Sequence, residues 1–151
     1  MRVYLAGPLF SIAERTFLDG IAARLRGEGY EVFVPHEQVP EQRAVSAEDV
    51  YRSDLAGLER ADAMLAWIDG PTIDDGTAVE IGIFTRLVAQ DPARWRGVVA
   101  LATDLRLQRR KGVLAGDGIN LFAAGAIRAA GEIVWSIDEA VGALGRLRPG
   151  S

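Results

Sequence analysis

Asp69-Gly-Pro-Thr-Ile-Asp-Asp-Gly-Thr-Ala-Val-Glu80 follows directly on the apolar run Ala63-Met-Leu-Ala-Trp-Ile68, and this junction decides what kind of sheet the chain builds. The run shows no polar alternation, the pattern of a strand covered on both faces of a parallel sheet. Beyond it, Ile81, Phe84, Leu87 and Val88 recur at helical spacing. A buried strand therefore ends here and a helix, expected over Ala78 to Ala89, begins. In an open α/β sheet, ligands bind in the crevice at the carboxyl ends of the strands, which is where three aspartates, two glycines and a glutamate converge.

The same alternation extends in both directions. Val3-Tyr-Leu-Ala6, closed by Gly7-Pro8, predicts a central strand followed by a loop whose backbone comes close to a ligand. A helix over Ser11 to Arg26 is announced by Ser11 and Glu14 at capping-box spacing, with Gly27 and Gly29 as its stop. Tyr30-Glu-Val-Phe-Val34 predicts strand two, followed by a polar loop over His36 to Ala44. A helix runs from about Ser46 to Arg60. Past the junction, Gly97 to Ala102 is strand four, Thr103 to Gly118 a long basic loop, and Ile119 to Ala130 a weak helix. Glu132 to Trp135 is strand five, and Ile137 to Leu147 a terminal helix. Five strand–helix alternations call for a parallel sheet with right-handed crossovers, a three-layer α/β sandwich with strand order 2-1-3-4-5.

At 151 residues, 49% hydrophobic and 25% charged, the chain fits a single domain over residues 1–151 that buries an ordinary core. It has no cysteine, which excludes disulfides, thiolate metal sites and cysteine nucleophiles and agrees with a reducing cytoplasm. A net charge of −4 supplies no field for a nucleic acid polymer or an anionic membrane. The basic cluster Arg106-Leu-Gln-Arg-Arg-Lys111 is read as a solvated loop. Met1 leads straight into strand one without a signal peptide's apolar core, and no run approaches spanning length. The expectation is a cytoplasmic protein with no membrane partner.

Ala6-Gly-Pro-Leu-Phe10 is neither a dinucleotide fingerprint nor a P-loop. Gly7 and Pro8 stand where a response-regulator receiver needs acidic residues. With one histidine, His36, zinc chemistry and a Ser-His-Asp triad lose their basis, and His36 itself is read as incidental. Carboxylates remain. If the helix starts near Thr77, Glu80 falls in its first turn, where free amides and the macrodipole favour the ionised form that a nucleophile at an anomeric carbon needs. Asp74 is then placed to accept from sugar hydroxyls, and Gly76 lets the backbone approach. The same residues also suit local structure: Thr77-x-x-Glu80 has capping-box spacing and Asp74-Asp-Gly76 is common turn chemistry. Asp69, Asp74 and Asp75 could alternatively hold Mg²⁺, though solvated loop aspartates are the simpler expectation. Tyr4 suits either a core position or a phenol that orients a carboxylate. Leu9 and Phe10 suit a base-stacking face or, for Phe10, a helix staple. Asp54 could face either way from its helix.

Tyr4-x-Ala-Gly7, Ser53-Asp-Leu55 with Ala61-Asp62, Asp74-x-Gly-Thr-x-x-Glu80 and Ile119-Asn-Leu-Phe122, in this order, resemble the nucleoside 2-deoxyribosyltransferase family from residue 3 to about residue 144. The resemblance implies a flavodoxin-like domain that needs no cofactor or metal. It would cleave the N-glycosidic bond of a 2′-deoxynucleoside and pass the sugar to another free nucleobase, a salvage reaction with hydrolysis as a side activity. Glu80 matches the nucleophile that forms a deoxyribosyl ester, Tyr4 the tyrosine that orients it, and Asp74 the aspartate that holds the 5′-hydroxyl. Asp54 matches an aspartate tied to leaving-base protonation or base contact, and Asn120 an asparagine supplied by a neighbouring subunit of a homo-oligomer. Leu9 stands where some members have an aromatic residue, so stacking would fall to Phe10 and Trp67.

The 2′-deoxynucleoside 5′-monophosphate N-hydrolase branch tends to carry serine at the position of Asp74, where an aspartate would repel a phosphate. A phosphoribohydrolase motif shares Gly-Thr-x-x-Glu but not the Pro-Gly-Gly before it. A sensor that binds nucleosides or nucleotides without chemistry is the alternative from another class.

Overall fold

The computed structural model describes residues 1–38, 45–109 and 118–150. Five strands, β1 (Arg2–Ala6), β2 (Glu31–Phe33), β3 (Ala63–Trp67), β4 (Val98–Leu101) and β5 (Gly131–Val134), form one parallel sheet in the order β2-β1-β3-β4-β5. The helices between them are α1 (Ile12–Gly27), α2 (Ala47–Arg60), α3 (Asp75–Gln90), α4 (Leu105–Arg109), α5 (Leu121–Ala130) and α6 (Ile137–Arg146). This is the expected flavodoxin-like sandwich and strand order.

Successive strand residues point to opposite faces, so β1 splits its side chains between two cores. Val3 and Leu5 pack with Leu18 and Ile21 of α1 and Leu144 of α6. Tyr4 and Ala6 face Leu58 of α2, Ile81 and Phe84 of α3, and Ile127 of α5. With apolar residues needed on both sides, the strands read as continuous hydrophobic runs. The order places β1 beside β3 with their first crossovers leaving in opposite directions, which opens a crevice between their carboxyl ends.

The capping signal at Ser11 is realised as a capping box with Glu14, and Ser46 forms a second one with Asp49 at the start of α2. After α1, Gly29 takes a φ of 82°, a left-handed turn that glycine adopts without strain. Several boundaries differ from expectation. A 3-10 turn over Pro35–Gln38 replaces the start of the polar loop, and residues 39–44 of that loop lie outside the described residues. Part of the expected loop at Thr103 is α4, begun by an Asp104 carboxylate that accepts from the Arg106 amide; residues 110–117 lie outside the described residues. Asn120 caps α5 through its side chain, which moves that helix start to Leu121. β5 ends at Val134 because the Trp135 amide turns to donate to Glu139. Among the described residues, no helix is long and apolar enough to cross a membrane.

Candidate active site

Tyr4 rises from the middle of β1 and is completely buried. Its hydroxyl donates to Glu80 Oε1 across 2.5 Å, because α3 crosses the same sheet face and sets its second turn over the strand. Above this pair lies a cleft of about 470 Å³. Gly7, Leu9 and Phe10 of the loop after β1 border it on one side. Ser53 and Asp54 of α2 border it on another, and Asp74, Gly76, Thr77 and Glu80 close it. The crevice rule and the topology thus bring together Tyr4, Gly7, Phe10, Asp54, Asp74, Gly76 and Glu80, all named from the sequence.

The start of α3 departs from expectation. Asp74 is the N-cap, its Oδ2 accepting from the Thr77 amide at 3.0 Å and the Thr77 hydroxyl at 3.1 Å. Thr77 is therefore not a cap, no Thr77–Glu80 capping box forms, and Glu80 lies past the turn of free amides. Helix-terminal amides do not hold it ionised. Burial instead pushes the Glu80 carboxyl up to about 7, the negative charges of Asp54 and Asp74 add to the rise, and the Tyr4 hydrogen bond opposes it. Tyr4 is held neutral, mainly by burial and then by the neighbouring Glu80. Asp54 is half-buried, and burial raises its carboxyl above the usual range.

Gly7 has a packing role as well as a place in the cleft wall. A Cβ there would meet Leu18 Cδ2 at 3.0 Å and Trp67 Cβ at 3.3 Å. Trp67 is on the far side of the sheet, tilted against Phe17 at 4.5 Å between ring centroids, and does not border the cleft. That leaves Phe10, 74% exposed, as the aromatic ring at the cleft mouth. It is no staple: the N4 position of α1 is the charged Arg15, which instead donates to the Leu9 and Phe10 carbonyls. Asp69 turns away to tie β3 to the segment after β4, accepting from the Thr103 amide and hydroxyl and the Asp104 amide. Asp75 accepts from the adjacent Gly76 amide. The three junction aspartates thus point apart, and among the described residues no three His, Cys, Asp or Glu side chains gather as a metal would need.

Asn120 lies in a second groove, lined also by Ile73, Ala78 and the exposed Phe122. Its Oδ1 accepts from the Phe122 and Ala123 amides, and α3 stands between it and the cleft of its own chain. Sequence reasoning missed the cleft wall formed by Pro35, His36 and Gln38. His36 borders the cleft and shares a hydrogen bond with Asp19 at 2.8 Å. The signal was present: Pro35-His36-Glu37-Gln38 sits at the carboxyl end of β2, the sheet edge that carries the crevice.

The sequence profile described as nucleoside 2-deoxyribosyltransferase matches residues 3–109. Among solved structures, a conserved protein from Enterococcus faecalis V583 is 26% identical, with a TM-score of 0.79 over 97% of this chain and 98% of that one. The 2-deoxyribosyltransferase of Bacillus psychrosaccharolyticus is 22% identical, with a TM-score of 0.69 over 97% and 96%. A CMP N-glycosidase from Clostridium botulinum is 16% identical, with a TM-score of 0.59 over 98% and 100%. The last two similarities bear on the fold alone. A search of curated proteins found no match.

Proposed function

The chain belongs to the nucleoside 2-deoxyribosyltransferase family, and we propose that it transfers 2-deoxyribose between nucleobases through an ester on Glu80. The observation that carries this is the half-buried carboxylate at the base of the cleft, oriented by a single short hydrogen bond from Tyr4. That geometry leaves Oε2 to attack C1′ while Oε1 is fixed. The C1′–N bond breaks as the Glu80–C1′ bond forms, the base leaving with the bonding pair and a proton. A second base then attacks C1′ from the face the first one left, giving up its N–H proton to the group that protonated the first base and releasing the carboxylate with net retention. Water is the slower acceptor.

Asp54 is the group suited to supply the leaving base's proton, since burial makes it hold a proton more readily than an exposed aspartate. Asp74 spends Oδ2 on its cap, and Oδ1 accepts no hydrogen bond among the described residues, which suits it to the sugar's 5′-hydroxyl. Phe10, Leu9 and Val50 give the cleft an apolar wall for a base. Gly7 and Gly76 bring backbone to its rim. Asn120 would act on the cleft of a neighbouring copy in a homo-oligomer.

The charge around the cleft favours a nucleoside over its 5′-monophosphate. Asp49, Asp54, Asp74 and Glu80 all border it, and no lysine or arginine does among the described residues. The carboxylates would repel a phosphate dianion there, with no cationic arginine or lysine on the described lining to offset them. Incubation with deoxyinosine and adenine should yield deoxyadenosine. Consumption of deoxynucleoside 5′-monophosphates without exchange would indicate the N-hydrolase, and thermal stabilisation by nucleosides without turnover would indicate a sensor.

A further inference from the structure

We propose that Phe33 is a positioning residue for Glu80, acting through Tyr4: its ring, seated against α2 where Gly57 lacks a side chain, fixes the phenol so that its hydroxyl is directed onto the carboxylate. This rests on the assignment of Glu80 as nucleophile.

Phe33 and Tyr4 are register partners on β2 and β1, so their side chains leave the sheet on the same face. Their rings are stacked, with centroids 5.1 Å apart and planes 17° from parallel, within the favoured range for aromatic pairs. The other side of Phe33 is set by α2. A Cβ on Gly57 would come within 2.7 Å of Phe33 Cε1 and Cζ, closer than any side chain tolerates, so the glycine is what lets the helix settle on the ring. Phe33 does not border the cleft; it lines a separate groove at the β2 edge with Gly57 and Arg60. Its influence on turnover must therefore pass through Tyr4. A phenol whose ring is clamped keeps its 2.5 Å bond to Glu80, whereas a ring free to tilt lengthens it, and small misplacements of a catalytic group carry large rate penalties.

Phe33→Leu keeps an apolar side chain but removes the flat ring; Gly57→Ala keeps the ring but displaces it. Either should lower kcat about tenfold with KM changed by less than about twofold, the pattern of an interaction needed only for the chemical step. The ionisation of Glu80, followed through its infrared carboxyl band and assigned with Glu80→Gln, should move to higher pH in both variants. The hydrogen bond that opposes burial is weakened, while Asp54 from α2 and Asp74 from the α3 cap still act as before. In a Tyr4→Phe background, the same two substitutions should change neither kcat nor the midpoint further, a non-additivity that reports coupling. An unmoved midpoint in both variants, unchanged kcat, or equal losses with and without the Tyr4 hydroxyl would overturn the proposal. Because the infrared midpoint needs no turnover, absence of exchange in the parent protein would sink the transferase assignment while leaving this coupling measurable.

Discussion

Tyr4 and Glu80 are 76 residues apart in the chain and 2.5 Å apart in the fold. The bond joins the middle of β1 to the second turn of α3, five elements later among the strands and α-helices. It is also the one favourable influence on an ionised Glu80 among burial and two neighbouring carboxylates. A half-buried acid so placed is costly to charge, and the phenol offsets part of that cost.

Replacing Tyr4 with phenylalanine should leave the fold intact, since the ring is retained in a fully buried position. A hydrogen bond to a charged group contributes about 1.5–3 kcal/mol, so kcat should fall roughly ten- to a hundredfold. Steady-state kinetics with deoxyinosine and adenine would measure it.

The pH dependence of kcat/KM follows from the Glu80 carboxyl, pushed up to about 7. The nucleophile must be ionised, so Glu80 should give a limb that climbs about tenfold per pH unit below that point, and ionisation of Asp54, the acid proposed for the leaving base, should make the rate fall at higher pH. In the Tyr4→Phe variant the rise should move to higher pH. A profile already flat at pH 5 in the parent would contradict the burial described here.

The same shift has a consequence for stability. Glu80 in the fold titrates above its ordinary value of 4.5, so the fold favours the protonated acid. The stability this supplies is fully present below pH 4.5 and is lost as pH rises through about 7. Glu80→Gln removes the ionisation, and should stabilise the protein by about 2 kcal/mol at pH 8, several degrees in Tm, with little gain at pH 4. Differential scanning calorimetry at the two pH values would test this.

Asp74 combines a cap with a cleft oxygen, and the two roles separate by substitution. Asp74→Ala should cost about 1 kcal/mol through the lost cap. Asp74→Asn should keep the cap and Tm, while turning an amide donor toward the sugar. Deoxynucleoside KM should then rise, and discrimination against 5′-monophosphates should relax.

The sheet order was legible because a buried parallel strand and an amphipathic helix have distinct periodicities, repeated five times. The site was legible in part because its residues lie at strand ends or in one compact motif. The start of α3 was misplaced by local chemistry: Thr77 and Asp74 both have N-cap character, and only the fold shows Asp74 accepting from Thr77. That three-residue difference moved Glu80 from a place where amides would favour its charge to one where burial opposes it. Trp67 went astray for another reason. The strand pattern places it in the sheet but does not say which face it takes, and register sends it toward Phe17. Phe33 and Gly57 were invisible as a pair because only tertiary packing brings them together.

Covalent attachment of the sugar to Glu80 is the step on which the proposed transfer depends. Mass spectrometry of the protein trapped with a slow 2′-fluorinated nucleoside donor should find a fluorodeoxyribosyl adduct on the peptide carrying Glu80, absent from Glu80→Gln. An adduct on a different residue, or deoxyribosyl exchange that persists in Glu80→Gln, would contradict it.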